Sequence, residues 1–300
     1  MGSLQLRSRL LASGWSDDEV RRLLRTGELS PVRRGAYVVG GLPKDPVRRH
    51  RLEIVAAVEQ LAAAAVVSHA SGAVLHGLPL WAVPFGRVHV SRHRASGGRL
   101  GRRVHVHTAP LSADEIALVD GVPVTSVART VVDIARTVAF EQAVVVADAA
   151  LAMGLVTGEQ LAVAVLRATG WRGCPAARRV VAFADAGAES PGESRSRVAI
   201  VQAGLPAPVL QWEVLEDRRS LGFADFGWPW LRTVGEFDGE IKYGRLVRPG
   251  QAPGDVVFAE KRREDRMRDT GLGMARWTWD ELGPAFGPVA DRIRRRFRPL

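Results

Sequence analysis

Two neighbouring stretches, Gly222-Phe-Ala-Asp-Phe-Gly-Trp-Pro229 and Val234-Gly-Glu-Phe-Asp-Gly239, decide how this chain is read. Each is apolar enough for a core strand, and each carries acid where a core strand should carry none. Burying an unpaired carboxylate is costly. Asp225, Glu236 and Asp238 converging inside a sheet therefore point to a divalent cation held by oxygen ligands, and so to phosphodiester chemistry. Residues 221–227 and 232–238 read as strands joined by Trp228-Pro-Trp-Leu231, a connection short enough for an antiparallel hairpin. Side chains alternate along a strand, so Glu236 and Asp238 share a face, and Asp225 joins them if the register allows. The competing arrangement is a hairpin with solvated acids. Gly235 and Gly239, beside Val234 and Phe237, favour a site with close access to the backbone.

Outward from the hairpin, residues 186–285 read as one α/β unit. Ser190-Pro-Gly-Glu193 opens a helix that Gly204 stops, a strand covers 209–214, the acidic strands come next, a charged helix covers 256–269, and a last strand covers 274–278. Glu193 is either a neighbour of the metal site or an acid favoured at a helix N-terminus. Lys242 and Lys261 are candidate charge stabilisers, and Lys242 is the candidate catalytic cation. Residues 286–300, with Arg292-Ile-Arg-Arg-Arg-Phe-Arg298, read as a basic tail that is solvated or touches phosphate.

Residues 1–45 read as helices with a β wing. Ser16 and Glu19 form a capping box; the helix it opens runs to Thr26 and stops at Gly27. Val20, Leu23 and Leu24 face inward, while Arg21, Arg22 and Arg25 face out. Arg33 and Arg34 mark the wing. A winged helix-turn-helix with these five arginines on DNA is the expectation. Residues 46–185 read as an α+β middle region with helices over 50–64, 66–78, 127–137, 140–153 and 157–168, and strands over 87–91, 103–108 and 122–126. No acid occurs from Gln60 to Ala113. That span holds Arg92, Arg94, Arg99, Arg102 and Arg103, a loop able to grip phosphates or an acidic protein surface. His69 and His76 read as packed or capping histidines. His105 and His107 share a strand face, but no nearby acid or cysteine completes a ligand set.

The 300 residues carry a formal charge of +10, which favours a polyanionic partner. Arginine so outnumbers lysine that genome composition also explains the excess, so local charge decides. The single cysteine, Cys174, excludes an intramolecular disulfide. The sequence shows no secretory leader and no membrane span, and a cytoplasmic location without a membrane partner is expected.

The order helix–strand–strand–strand–helix–strand, with Glu193, Asp225 in Phe223-Ala-Asp-Phe226, and Glu236-Phe-Asp-Gly239, resembles the PD-(D/E)xK nuclease superfamily, in particular the domain related to very-short-patch-repair endonucleases. The resemblance implies a restriction-endonuclease-like mixed sheet flanked by helices, with Mg²⁺ on the acids. It departs at Asp238, where the named motif has lysine; Glu240-Ile-Lys242 offers a literal alternative. Leu11-Ala-Ser-Gly14, Arg33-Arg-Gly-Ala-Tyr37, Ser68-His-Ala-Ser71 with Leu75-His-Gly-Leu78, and Val124-Thr-Ser-Val-Ala-Arg-Thr-Val-Val-Asp133 resemble the AbiEi family of type IV antitoxins over roughly residues 4–150. That resemblance implies a DNA-binding winged helix and a domain that neutralises a cognate toxin.

The expected fold class is thus multi-domain α/β: a winged-helix domain at 1–45, an antitoxin-like α+β domain at 46–185, a restriction-endonuclease-like domain at 186–285 and a tail at 286–300. The expected function is DNA binding with metal-dependent endonuclease chemistry, in phage defence or DNA repair. The alternative is an antitoxin-like transcriptional regulator whose nuclease-like domain is inactive.

Overall fold

The computed structural model describes residues 4–61, 65–94, 96–239, 266–267 and 269–299. It divides into two compact units: Met1–Val146 with Gly154–Phe183, and Ala147–Met153 with Ala184–Leu300. Among the described residues no helix is long and apolar enough to cross a membrane.

The first unit opens with β1 (Leu4–Leu6), α1 (Arg7–Ala12), α2 (Asp17–Thr26), β2 (Leu29–Arg33) and β3 (Ala36–Val39). Residues 4–6 are a strand because they complete an antiparallel sheet in the order β1-β3-β2. The cap of α2 forms as its sequence dictates. The Ser16 hydroxyl accepts from the Glu19 amide, the Glu19 carboxylate accepts from the Ser16 amide at 2.7 Å, and Gly27 ends the helix at φ 78°. α3 (Pro46–Val58) shares a core with this sheet: its Leu52 and Ala56 pack with Leu6, Val32, Ala36 and Val38. Residues 1–45 close a small core of their own, in which Leu10, Val20, Leu29 and Tyr37 pack together, and share a second one with α3.

A six-stranded sheet continues this unit. Its elements are β4 (Val66–Val67), α4 (His69–Leu75), β5 (Val88–Arg92), β6 (Arg99–Leu100), β7 (Val104–Thr108), β8 (Ile116–Val119) and β9 (Val122–Thr125), with strand order β6-β7-β5-β4-β9-β8. The expected helix over 66–78 is a two-residue strand followed by a shorter helix. Val66 and Val67 are β-branched and buried between β5 and β9. The α5 (Val127–Ala135), α6 (Phe140–Ala152), α7 (Gly158–Arg167) and α8 (Cys174–Phe183) helices come after it. Arg129, at 1% exposure, joins α5 to its surroundings: it donates to Asp133 at 2.9 Å and to Glu115 at 3.0 Å, under the Trp171 ring.

The second unit is built on α9 (Pro191–Gln202), β10 (Val209–Glu216), β11 (Arg219–Trp228), β12 (Thr233–Asp238), β13 (Gly273–Thr278) and α10 (Gly287–Arg294). The sheet order is β10-β11-β12-β13, antiparallel except for the β12–β13 pair, which is parallel. It is a mixed sheet, and the acidic hairpin is antiparallel as its short connection requires. Ile200 of α9 packs with Phe226, Trp228, Phe237 and Trp277 of the sheet in one core. Residues 286–299 are corrected from a basic tail to a structural element. Val289, Ala290 and Ile293 of α10 are buried in that core, and Phe297 packs against it. Burying a Val or an Ile is worth roughly 1.5–3 kcal/mol, which holds the helix down while Arg294 lies at the surface and Arg292 donates to the Arg276 carbonyl and to Glu281. The expected helix over 256–269 lies outside the described residues except at its end, where Met267 is buried beside Ala224 and Val234.

Candidate acidic site and basic surfaces

The acids of the hairpin sit where β11 and β12 part. Backbone pairing runs Trp228–Thr233, Gly227–Val234 and Phe226–Gly235, and one further step of this register sets Asp225 opposite Glu236. There the carboxylate of Asp225 replaces the main chain: its Oδ2 accepts the Phe237 amide at 2.8 Å. Asp225 and Glu236 are both buried, at 7% and 5% exposure. On the other side β13 sets Arg276 beside Glu236 and Thr278 beside Asp238. Asp238, at the strand end, is half-buried.

The neighbouring strand is distorted at the same level. The β10–β11 ladder pairs Leu210 with Phe226 and Trp212 with Ala224. Between them Gln211 takes a left-handed φ of 45°, sparsely populated for a residue other than glycine. Its side-chain amide donates to Glu193 at 3.2 Å. Glu193, buried on the first turn of α9, also accepts the Ser190 hydroxyl at 2.7 Å and the Glu189 amide at 2.9 Å. It is a helix-capping acid that reaches toward Asp225's level through Gln211.

The helix start is pressed onto the sheet. A Cβ at Gly192 would lie 1.9 Å from the Phe237 ring, so glycine is required there by contact. Phe237 in turn meets Trp279 edge-to-face at 5.3 Å. Behind α9, Arg197 donates to the buried Asp148 at 2.7 Å, and burial pushes the Asp148 carboxyl up despite this partner.

The structure thus brings Asp225 and Glu236 together and places Asp238 beyond them at the rim. Lys242 and Lys261 lie outside the described residues. Among the described residues, the one group of three histidine, cysteine or acidic side chains with ligand atoms all within 4.8 Å of one another is His69, His89 and His107. The acids of the hairpin do not meet that spacing as a trio. Reading along the sequence does not find Gln211 and Arg276, since only the register puts them beside the acids.

In the first unit Arg21, Arg22 and Arg25 lie on α2, with the exposed Arg21 paired to Asp18 at 2.6 Å. The structure joins the expected wing to the expected loop. Arg33 lines a cleft of about 350 Å³ with Arg49, Arg102 and Arg103, beside Glu53. Arg103 also donates to the Val32 carbonyl at 3.2 Å. Burial first, and then the Arg103 charge, push the Arg33 guanidinium below its ordinary value, as expected where cations crowd with too few acids. Arg34, Arg94 and Arg99 are exposed nearby in sequence but do not line this cleft, and Arg92 is half-buried at the end of β5.

No protein-family model matches the chain. Two proteins of Mycobacterium tuberculosis, described as uncharacterized proteins Rv2248 (strain H37Rv) and MT2308 (strain CDC 1551), are each 29% identical to it over 177 residues. The chain matches 62% of the length of each, and 59% of its own length is covered. A solved structure, the RV2827C protein of Mycobacterium tuberculosis, is similar over 72% of this chain and 84% of its own, with a TM-score of 0.40 and 17% identity.

Proposed function

We propose that this protein is a DNA-directed, metal-dependent endonuclease: the first unit binds duplex DNA and the second hydrolyses a phosphodiester bond. The observation that carries the reading is the pair Asp225 and Glu236, buried side by side at the point where two core strands part. A fold places acids there at a cost, and hard oxygen donors suit Mg²⁺. The Phe237 amide fixes the Asp225 carboxylate, so Asp225 and Glu236 would hold the ion, with Asp238 at the rim orienting a water. Bound Mg²⁺ supplies Lewis-acid polarisation of the phosphate and a more acidic water. Lys242 is the proposed cation for the charge that develops on phosphate.

The first unit supports the DNA half of the reading. Two helices followed by a small antiparallel sheet fit a winged helix-turn-helix, with Arg21, Arg22 and Arg25 of α2 in a major groove. The cleft of Arg33, Arg49, Arg102 and Arg103 offers several guanidinium groups to the phosphate backbone.

The test is nicking of supercoiled DNA by the full chain in Mg²⁺ or Mn²⁺, with EDTA and Asp225→Asn as controls. Nicking that needs metal and Asp225 is the expected result. No nicking by the wild type, or equal nicking by Asp225→Asn, would overturn the proposal.

A second reading rests on a different observation. The three hairpin acids do not gather at ligand spacing, and Asp238 stands where the superfamily's named lysine would. That favours a DNA-binding regulator whose second unit is catalytically silent, with the Arg92–Arg103 loop facing an acidic toxin partner. A gel shift with the DNA upstream of its own gene, positive in a protein that never nicks, would select it.

A further inference from the structure

We propose that His69, His89 and His107 form a binding site for a transition-metal ion of the Zn²⁺ class, independent of the acidic site and open at its fourth coordination position. Three separate elements build it. β5 and β7 pair in parallel with His89 beside His105 and Ser91 beside His107, so His89 and His107 lie on one diagonal. His89 Nδ1 and His107 Nε2 are 3.0 Å apart. His69 comes from the start of α4 and stacks on His107 with ring centroids 3.7 Å apart. One nitrogen from each ring falls within 4.8 Å of the others.

The spacing suits a metal. Two imidazole nitrogens on tetrahedral Zn²⁺, each at about 2.0–2.1 Å, stand roughly 3.3 Å apart. The His89–His107 pair needs to open by a few tenths of an ångström, and the near-parallel rings, 19° between His89 and His107 and 15° between His69 and His107, to turn until their in-plane lone pairs converge, the ion taking the place of the proton that His89 and His107 share. His69 keeps Nδ1 on the Ser68 hydroxyl at 3.0 Å, and that hydroxyl is fixed in turn by Ser91 at 2.8 Å. Its Nε2 is then the ligand, oriented through the other ring nitrogen as ligating histidines are. Nitrogen donors alone favour Zn²⁺, Co²⁺ or Ni²⁺ over Mg²⁺ or Ca²⁺.

Two further features set these rings apart from packed core histidines. His69 holds a left-handed φ of 51°, strain that persists where the surroundings fix a residue for a purpose. Burial also holds His69, His89 and His107 well toward the neutral form, the form that ligates. His105, more exposed, lies 3.8 Å from His107 between centroids and stands outside the set of three. Arg129 and Arg136 lie close enough to act on His69.

The experiment is a titration of untagged, EDTA-stripped full chain with Zn²⁺ in competition with a chromophoric chelator, and with Co²⁺ followed by visible absorption. One equivalent should bind, and Co²⁺ should show the intense bands of four-coordination without thiolate charge transfer. His89→Ala and His107→Ala should each weaken binding by more than about 100-fold, and His105→Ala by only a few-fold. His69→Asn, which tolerates the left-handed backbone, serves as a third ligand variant whose fold is checked by circular dichroism. Binding of no ion, or binding that survives in folded His69→Asn and His107→Ala, would overturn the proposal. Nicking plays no part in this readout, so the site stands or falls apart from the nuclease reading.

Discussion

Substituting Gly192 by alanine probes the contact that seats α9 on the acidic strand. The new Cβ would lie 1.9 Å from one ring carbon of Phe237 and 2.4 Å from the next. Ordinary contact begins near 3.4 Å, so the helix start or the ring must shift by about 1.5 Å. The ring has little room, being 2% exposed and set edge-on to Trp279. Alanine in a helix is favoured over glycine by about 1 kcal/mol, whereas overpacking of this kind costs about 1–3 kcal/mol. An overlap of about 1.5 Å places this site at the upper end of that range, so a net destabilisation of about 2 kcal/mol is expected from urea unfolding. The functional effect should be larger. The Phe237 amide holds Asp225, and a displacement near 1 Å at a catalytic group costs on the order of 100-fold in rate. Phe237→Leu in the same chain should relieve part of the stability loss, because the two substitutions share one contact. A Gly192→Ala protein as stable as wild type, or one whose nicking falls no further than its folded fraction, would refute the linkage between helix seat and site.

Other expectations rest on single contacts. Arg129→Met leaves Asp133 and Glu115 buried without their shared guanidinium and should destabilise the first unit by about 3–5 kcal/mol; Arg167→Ala, which breaks the solvent-exposed pair with Asp114, should leave the midpoint where it is, both read from urea unfolding. In EDTA, His107 is held at about 3 and His89 at about 4, by burial first and neighbouring histidines second. Their folded values lie below the ordinary 6.5, so the unfolded chain takes up protons first. The contribution is complete above pH 6.5 and is lost as pH falls toward about 4 for His89 and about 3 for His107, by roughly 2 kcal/mol per ring between pH 7 and 5; a pH slope unchanged in His107→Gln would contradict this. In gel shifts, Arg22→Ala and Arg25→Ala should each weaken binding on any duplex and make the salt slope shallower by about 0.9 for each phosphate the variant no longer neutralises.

What the sequence discloses divides by range. The α2 helix is legible because Ser16, Glu19 and Gly27 are local signals. The acidic strands are legible because Phe223 to Trp228 and Val234 to Asp238 are short, largely apolar runs joined by a short connection. β8 is not among the expected strands, although its signal is present. Asp120 and Gly121 both take positive φ, the two-residue turn that an Asp-Gly pair between apolar runs announces. α10 is masked by its arginines, which hide the spacing of Val289 and Ile293. The histidine set and the Arg33–Arg103 cleft are not legible. Each depends on pairing between segments far apart in sequence: the parallel β5–β7 register for the histidines, and the packing of the 102–103 loop on Val32 for the arginines. Spacing within one segment carries no record of such neighbours.

The buried pair Asp225 and Glu236 is tested most directly by Mn²⁺ binding, followed by electron paramagnetic resonance, in the wild type and in Asp225→Asn. The substitution keeps the side chain's shape and its acceptor for the Phe237 amide while removing the charge. An occupied site is expected in the wild type, lost in Asp225→Asn together with nicking. Equal Mn²⁺ binding by the two proteins would contradict it.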